Sequence, residues 1–152
     1  MTTLAKILLA EDDPEDVVLT LSALEEVHLA NEVVVVGDGA EALDYLYRRG
    51  RFVDRNPGNP AVVLLDLKMP KVDGMEVLKT IKNDAALRSI PTVIMTSSRE
   101  ERDVVQSYEL GTNAYVVKPV DFAQFNQSVK QVGLFWALVN EPLPRPKQGL
   151  AP

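Results

Sequence analysis

The sequence predicts an α/β protein built on one five-stranded parallel sheet with helices on both faces. Short apolar runs alternate with longer amphipathic stretches five times along the chain, a pattern typical of repeated βα units. Right-handed crossovers would return each strand to the same open sheet. The chain has 152 residues, 46% of them hydrophobic, which suits one domain with a proper core.

Each predicted strand is a short apolar run, and the second run consists of valine alone, a residue that favours strands. The predicted strands are Ile7–Ala10, Val33–Val36, 62–65, 93–95 and Ala114–Val117. Five strands separated by helical stretches are what an open parallel sheet requires.

Capping residues and glycines set the expected helix bounds. The first helix follows Asp13, a good N-cap, with Pro14 at its first position. It is expected to fade near His28, and its apolar residues at helical spacing are Val17, Val18, Leu21 and Leu24. The second helix follows Asp38 and is expected to end at Gly50.

The segment 51–60 is rich in turn residues without periodicity, so we expect a surface loop there. In the helix that follows it, Val77, Leu78 and Ile81 should face inward. The last three helices are predicted at 76–83, from Ser98 to Gly111, and from Asp121 to about Leu138.

The composition excludes several functional classes. With 16 basic and 22 acidic residues the net charge is -6, which argues against a nucleic-acid partner. The arginines at 48, 49, 51 and 55 cluster, but Asp54 interrupts them and no aromatic platform follows. The absence of cysteine and the single histidine, His28, exclude disulfides, zinc sites and Ser-His chemistry. No apolar run would span a bilayer, so we expect a cytoplasmic protein without a membrane partner.

Polar side chains follow four of the predicted strands, at the edge where ligands bind in such sheets. They are Glu11, Asp12 and Asp13 after the first strand, Asp66 after the third, Thr96 after the fourth and Lys118 after the fifth. Carboxylates from two strand ends would repel one another, and Mg²⁺ relieves this best because it prefers oxygen ligands. We therefore expect Glu11, Asp12 and Asp66 to bind Mg²⁺; the alternative is that these acids are solvated caps.

The same edge has the groups that phosphoryl transfer needs. Asp66 can be the nucleophile that forms an acyl phosphate, while the Thr96 hydroxyl and the Lys118 ammonium can bind phosphoryl oxygens. Each group also has an ordinary interpretation, because threonine is common in strands and a lone lysine usually faces solvent.

Four segments together resemble the receiver domains of response regulators. They are the acid pair Glu11-Asp12, the sequence D-L-K-M-P-K-V-D-G from Asp66 to Gly74, the Thr96 of I-M-T-S-S, and Y-V-V-K-P from Tyr115 to Pro119. The resemblance extends from Lys6 to about Leu138. It implies the flavodoxin-like receiver (βα)5 topology with strand order 2-1-3-4-5.

The resemblance also implies the role of each site residue. Asp66 would accept a phosphoryl group from a sensor histidine kinase. Mg²⁺ would be bound by Asp12, by Asp66 and by the backbone carbonyl of Lys68, with Glu11 acting through water. Thr96 and Lys118 would bind the phosphoryl oxygens, and Tyr115 would change rotamer together with Thr96. The domain would catalyse only its own phosphorylation and dephosphorylation, and would signal through contacts with a downstream protein that the sequence does not identify.

The long 51–60 loop and the ending V-G-L-F-W-A-L-V-N-E-P-L-P resemble the single-domain regulators that accompany bacterial phytochromes. On this basis residues 1–139 are expected to form the receiver domain. Residues 140–152 are expected to be a proline-rich tail, too short to bury the core of an output domain.

The last predicted helix has more apolar residues than one helical face can bury. A contiguous patch with phenylalanine and tryptophan usually marks an interface. We therefore expect a homodimer through Leu134, Phe135, Trp136 and Leu138; the alternative is a tail that folds back over Trp136.

Two other functions compete with the signalling interpretation. A phosphatase of the haloacid-dehalogenase type would use Asp66 as nucleophile, but it needs a second acid two residues later, where this chain has Lys68. The other is an interaction module with an inactive acidic cluster, which the presence of all five site residues disfavours: Glu11, Asp12, Asp66, Thr96 and Lys118.

Overall fold

The five strands form one parallel sheet in the order β2-β1-β3-β4-β5, as the sequence predicts. The computed structural model describes residues 6–26, 32–96 and 114–118, together with positions 123 and 127. The strands are β1 (Ile7–Ala10), β2 (Val33–Val36), β3 (Val62–Asp66), β4 (Thr92–Thr96) and β5 (Ala114–Val117). The helices are α1 (Pro14–Glu25), α2 (Gly39–Tyr47) and α3 (Gly74–Asn83).

Strand β3 lies at the centre of the sheet, and all of its residues are buried. Ala10, the last residue of β1, pairs with Leu65, so Asp66 is one step beyond that pair. On the other side Asp66 pairs with Met95, and Thr96 pairs with Val117. The register therefore brings the carboxyl ends of four strands to one edge.

An aspartate caps each of the three helices, and its side chain accepts a hydrogen bond from a backbone N–H in the first turn. The predicted inward residues of α3, Val77, Leu78 and Ile81, are fully buried. In α1 the predicted apolar stripe is only partly buried, because Leu24 faces the core while Val18 is 61% exposed.

The predicted end of α2 at Gly50 is wrong, because the helix ends at Tyr47. Arg48 adopts the left-handed conformation with a φ of 57°. In this conformation the N–H of Arg48 donates to the carbonyl of Tyr45, and the N–H of Arg49 donates to that of Asp44. These bonds satisfy carbonyls in the last turn of the helix, so that it ends three residues before Gly50. Gly50 instead begins a short 3₁₀ turn, Gly50–Phe52.

Arg55 makes three of the hydrogen bonds that anchor the 51–60 segment. Its guanidinium donates to the carbonyls of Tyr45 at 2.7 Å, Asn56 at 2.8 Å and Gly58 at 2.9 Å. The same group stacks on the ring of Tyr45, 4.1 Å from the centroid. Arg49 and Arg51 also lie over aromatic rings, those of Tyr47 and Phe52. Three of the four clustered arginines therefore pack within this chain.

Several sequence predictions fall outside the described residues. They are the helix end near His28, the fourth helix from Ser98 to Gly111, and the boundary between 1–139 and the tail at 140–152. The fifth helix, predicted from Asp121 to about Leu138, is described only at positions 123 and 127, which are both helical. In the part of the chain that the structure describes, no helix combines the length and the hydropathy needed to cross a bilayer.

Gly39 supports the edge where the site lies, because its missing side chain lets α2 approach the loop after β3. A Cβ at this position would lie 1.8 Å from the carbonyl oxygen of Val72. We expect Gly39→Ala to lower the free energy of unfolding by about 2 to 3 kcal/mol, since backbone atoms must move to relieve the overlap. Urea denaturation measures the change.

Gly37→Ala is the matched control, because a Cβ at Gly37 meets no atom within 4 Å. This control should change the free energy of unfolding by less than about 0.5 kcal/mol. If the two substitutions lowered the free energy of unfolding equally, the close approach of Gly39 to the Val72 carbonyl would be contradicted.

Candidate functional site

An open cavity of about 440 Å³ lies at the carboxyl edge of the sheet, where β1, β3 and β5 end. Most of its lining is charged. The lining residues are Glu11, Asp12, Asp13, Asp16, Asp66, Lys68 and Lys118. Five acids and two lysines make this a strongly charged cavity.

The ammonium of Lys118 lies among three carboxylates. Its Nζ is 2.8 Å from Oδ2 of Asp16, 3.0 Å from Oε1 of Glu11 and 3.2 Å from Oδ1 of Asp66. An ammonium has three N–H donors, so one donor can serve each carboxylate. Burial alone would lower the pKa of Lys118, but the hydrogen bonds to Asp16 and Glu11 and the charge of Asp66 outweigh burial and raise the pKa. Lys118 is therefore a firmly charged group.

Asp66 is fixed by the strand that ends with it and by the loop that follows. Its Oδ1 accepts a hydrogen bond from the N–H of Lys68 at 3.3 Å. The N–H of Gly74 donates to the carbonyl of Leu67 at 2.9 Å, and a Cβ on Gly74 would lie 2.2 Å from the Asp66 carbonyl oxygen. Only glycine lets α3 begin this close to the backbone of Asp66.

Glu11 is 2% exposed, and its two oxygens are in different environments. Oε2 accepts from the N–H of Asp13 at 3.2 Å and from Lys118 at 3.2 Å. Oε1 is buried and has no hydrogen bond of suitable geometry, although the Lys118 ammonium is close. Burial raises the pKa of Glu11 to about 7, opposed by Lys118 and assisted by the charge of Asp66. Oε1 thus has an ion-pair partner in Lys118 but no well-formed hydrogen bond.

The acids fit a divalent cation. One carboxylate oxygen from each of Glu11, Asp12 and Asp66 can be chosen so that all lie within 4.8 Å of one another. Burial also raises the pKa of Asp66, although Lys118 opposes the shift. Two crowded, poorly solvated carboxylates are stabilised by a hard cation that takes oxygen ligands. Oε1 of Glu11, which has the Lys118 ammonium nearby but no hydrogen bond of suitable geometry, is a further reason why these residues suit a metal ion.

The structure thus brings together Glu11, Asp12, Asp66 and Lys118, four of the residues that the sequence singles out. The backbone also places Thr96 at this edge, since it directly follows Met95, the partner of Asp66. The side chains of Thr96 and Tyr115 lie outside the described residues, as do the predicted interface residues Leu134, Phe135, Trp136 and Leu138. A role for the carbonyl of Lys68 in metal binding remains a prediction.

Sequence reasoning missed Asp16. In the sequence this acid is one of two in the first turn of α1, a place where acids commonly stabilise the helix dipole. The structure instead gives it the shortest contact with Lys118. The available signal was its spacing of four residues from Asp12, which places it close to the same strand end.

Comparison with known proteins gives consistent results. The family described as "Response regulator receiver domain" matches residues 7–130. Response regulator Rcp1 of Synechocystis sp. (strain ATCC 27184 / PCC 6803 / Kazusa) is 37% identical over 130 residues, which cover 86% of this chain and 87% of Rcp1.

Two solved structures extend the comparison. The bacteriophytochrome response regulator RtBRR is 61% identical with a TM-score of 0.85, over 93% of this chain and 86% of RtBRR. The Mn(2+)-bound form of Rcp1 is 34% identical with a TM-score of 0.69, over 90% of this chain and 96% of that one.

The geometry predicts that a divalent cation can partly replace the Lys118 ammonium. Without divalent ions, Lys118→Met should lower the free energy of unfolding by about 2 to 3 kcal/mol, because buried carboxylates lose their partner. This loss of unfolding free energy is smaller than that for breaking a fully buried ion pair, because the cavity is open to solvent. Saturating Mg²⁺ should remove most of the difference by binding the same acids. Urea denaturation with EDTA and with MgCl₂ measures both values.

Lys71→Met is the control for this experiment. Lys71 is 70% exposed and lies 3.5 Å from Asp38, away from the cavity, so its loss should cost less than about 1 kcal/mol with or without Mg²⁺. A Lys118→Met deficit that Mg²⁺ leaves unchanged would contradict cation binding by these acids.

Proposed function

This chain belongs to the response-regulator receiver family, and we propose that Asp66 is its phosphoacceptor in a two-component phosphorelay. The carrying observation is the position of Asp66. It ends the central buried strand, with Glu11 and Asp12 close enough to share a cation with it and the Lys118 ammonium 3.2 Å from its Oδ1. A carboxylate between a cation site and a fixed ammonium is well placed to receive a phosphoryl group.

The proposed reaction moves one phosphoryl group from a phosphohistidine of the kinase to Asp66. A carboxylate oxygen of Asp66 forms the new O–P bond while the N–P bond breaks, and the electron pair of that bond remains on the imidazole. Lys118 binds a phosphoryl oxygen, and the hydroxyl of Thr96 binds another. A magnesium ion, held by Glu11, Asp12, Asp66 and the Lys68 carbonyl, would supply positive charge to the phosphoryl oxygens.

Magnesium is the proposed ion because the available ligands are all oxygen atoms. The side chains that converge are carboxylates, and the sequence has no cysteine and one histidine to favour a softer metal. The structure of the Mn(2+)-bound form of Rcp1 supports a divalent cation in a related protein.

Phosphorylation would act as a switch. The bound phosphoryl group would draw Thr96 towards Asp66 and let Tyr115 turn inward, which shifts the population between two surface states. The proposed output is contact with a downstream protein. The only reactions of the domain would be its own phosphorylation and dephosphorylation, which makes it a signalling module.

The phosphatase alternative is weaker. In the haloacid-dehalogenase type, an acid two residues after the nucleophile protonates the leaving group, and here that residue is Lys68. Lys68 lines the cavity together with Asp66, so the chain places a cation where this reaction needs an acid.

We assign the kinase to the phytochrome class. The assignment is supported by the 61% identity to the bacteriophytochrome response regulator RtBRR over most of both chains. A sensor kinase that uses ATP places the proposed reaction in the cytoplasm. The proposal includes a homodimer through the apolar segment with Leu134, Phe135, Trp136 and Leu138.

Phosphorylation should depend on Asp66 and on the cation. In the presence of acetyl phosphate and Mg²⁺, we expect the intact mass to increase by one phosphoryl group, because the carboxylate attacks the donor. The product should be undetectable in Asp66→Asn and in EDTA. Asp54→Asn, which removes an exposed acid from the 51–60 segment, is the matched control and should be phosphorylated like the wild type. Undiminished modification of Asp66→Asn would assign the phosphoryl group to another residue.

The dimer has an independent test. Sedimentation equilibrium at micromolar concentration should give the dimer mass for the wild type, because the apolar segment needs a partner surface. Trp136→Glu should shift the mass to the monomer, while Asp54→Glu should leave the dimer intact. A monomer mass for the wild type would end the dimer proposal without affecting the phosphoacceptor.

A further inference from the structure

Asp16 contacts Lys118 without being one of the acids that converge on the cation site. Its Oδ2 lies 2.8 Å from Nζ, closer than Glu11 at 3.0 Å or Asp66 at 3.2 Å. The side chains of Asp16 and Lys118 are 17% and 13% exposed, so solvent screens their attraction only partly. The shortest contact of the Lys118 ammonium therefore comes from helix α1 and not from a strand end.

The start of α1 does not need this carboxylate. An acid at the third helical position often bonds back to the N–H of the N-cap residue, which is Asp13 here. That N–H instead donates to Oε2 of Glu11 at 3.2 Å, and the side chain of Asp13 caps the N–H of Glu15 at 2.8 Å. Because other groups accept the hydrogen bonds at the helix start, the Asp16 carboxylate is available to Lys118 in the cavity.

The charges in the cavity change when the site is loaded. A divalent cation offsets the charge of the acids that bind it, and phosphorylation converts the Asp66 carboxylate into an acyl phosphate. The cation weakens the attraction of Glu11 and Asp66 for Lys118 and itself repels the ammonium, while the phosphoryl group brings new oxygens that the ammonium has to reach. Within the described part of the chain, the oxygens that converge belong to Glu11, Asp12 and Asp66. Asp16 keeps its full charge for Lys118.

We propose that Asp16 is a positioning residue that holds the Lys118 ammonium beside Asp66 when cation and phosphoryl group are bound. It acts through Lys118 and touches neither the cation nor the reacting atoms. The inference rests on the proposed phosphoacceptor function of Asp66. It links the first turn of α1 to phosphoryl binding, so that α1 contributes to the affinity of the site for the phosphoryl group.

Asp16→Asn tests the role, because asparagine keeps the shape of the side chain and removes its charge. The probe is beryllofluoride, which binds the phosphoacceptor as a phosphoryl mimic, titrated by NMR at saturating Mg²⁺. We expect the apparent Kd for beryllofluoride to rise about fivefold, corresponding to the loss of one charge-assisted contact. The ¹⁵N signal of the Lys118 ammonium should shift or broaden in the same variant, since its shortest partner changes charge.

Glu15→Gln is the matched control. It removes the same charge from the neighbouring residue of the same helical turn, and Glu15 is exposed beside Val18, outside the cavity lined by Asp16 and Lys118. The control should leave the Lys118 signal and the beryllofluoride Kd within about twofold of the wild type, because an exposed charge at this distance is screened.

The two proposals fail in different ways. A beryllofluoride Kd for Asp16→Asn equal to that of Glu15→Gln, with an unchanged Lys118 signal, would overturn the positioning role and leave the phosphoacceptor assignment intact. Beryllofluoride binding that persists in Asp66→Asn would overturn the phosphoacceptor assignment itself.

Discussion

The site depends on the balance between one ammonium and the carboxylates around it. The ammonium of Lys118 lies within 3.2 Å of carboxylate oxygens of Glu11, Asp16 and Asp66, so its charge is shared among three acids. Removing the ammonium leaves buried negative charge, while adding a cation relieves it. Because the same acids can be neutralised by the lysine or by a metal ion, the site can change its charge without unfolding. This property is what a phosphorylation switch requires.

The fold creates that balance through its register. In a parallel sheet the carboxyl ends of neighbouring strands meet, so Glu11, Asp66 and Lys118 converge although they are far apart in sequence. Two glycines then allow the surrounding backbone to close on the site, Gly39 against Val72 and Gly74 against Asp66. The stability of the sheet core thus fixes the geometry of the charged edge, and helix α1 adds Asp16 from outside the sheet.

The sequence predicts the sheet and most of the site because both follow from local patterns. The apolar runs mark the strands, and the residues directly after them, such as Asp66 and Lys118, must share an edge. The predicted end of α2 was wrong because two capping hydrogen bonds place the left-handed residue at Arg48. From residue type alone, Gly50 is the better candidate for that conformation. The hydrogen bonds of Arg55 depend on the positions of three backbone carbonyls in the folded chain, which the sequence pattern does not specify. The contact of Asp16 with Lys118 depends on how α1 is rotated against the sheet, which residue spacing alone does not determine.

The most direct test of the account is a crystal structure of the protein with Mg²⁺ and beryllofluoride. We expect beryllium bonded to a carboxylate oxygen of Asp66, magnesium coordinated by Asp12 and Asp66, and the Lys118 ammonium within hydrogen-bond distance of a fluorine. A structure with beryllofluoride on Asp66 but with Lys118 directed into solvent, or with no magnesium between the acids, would contradict it.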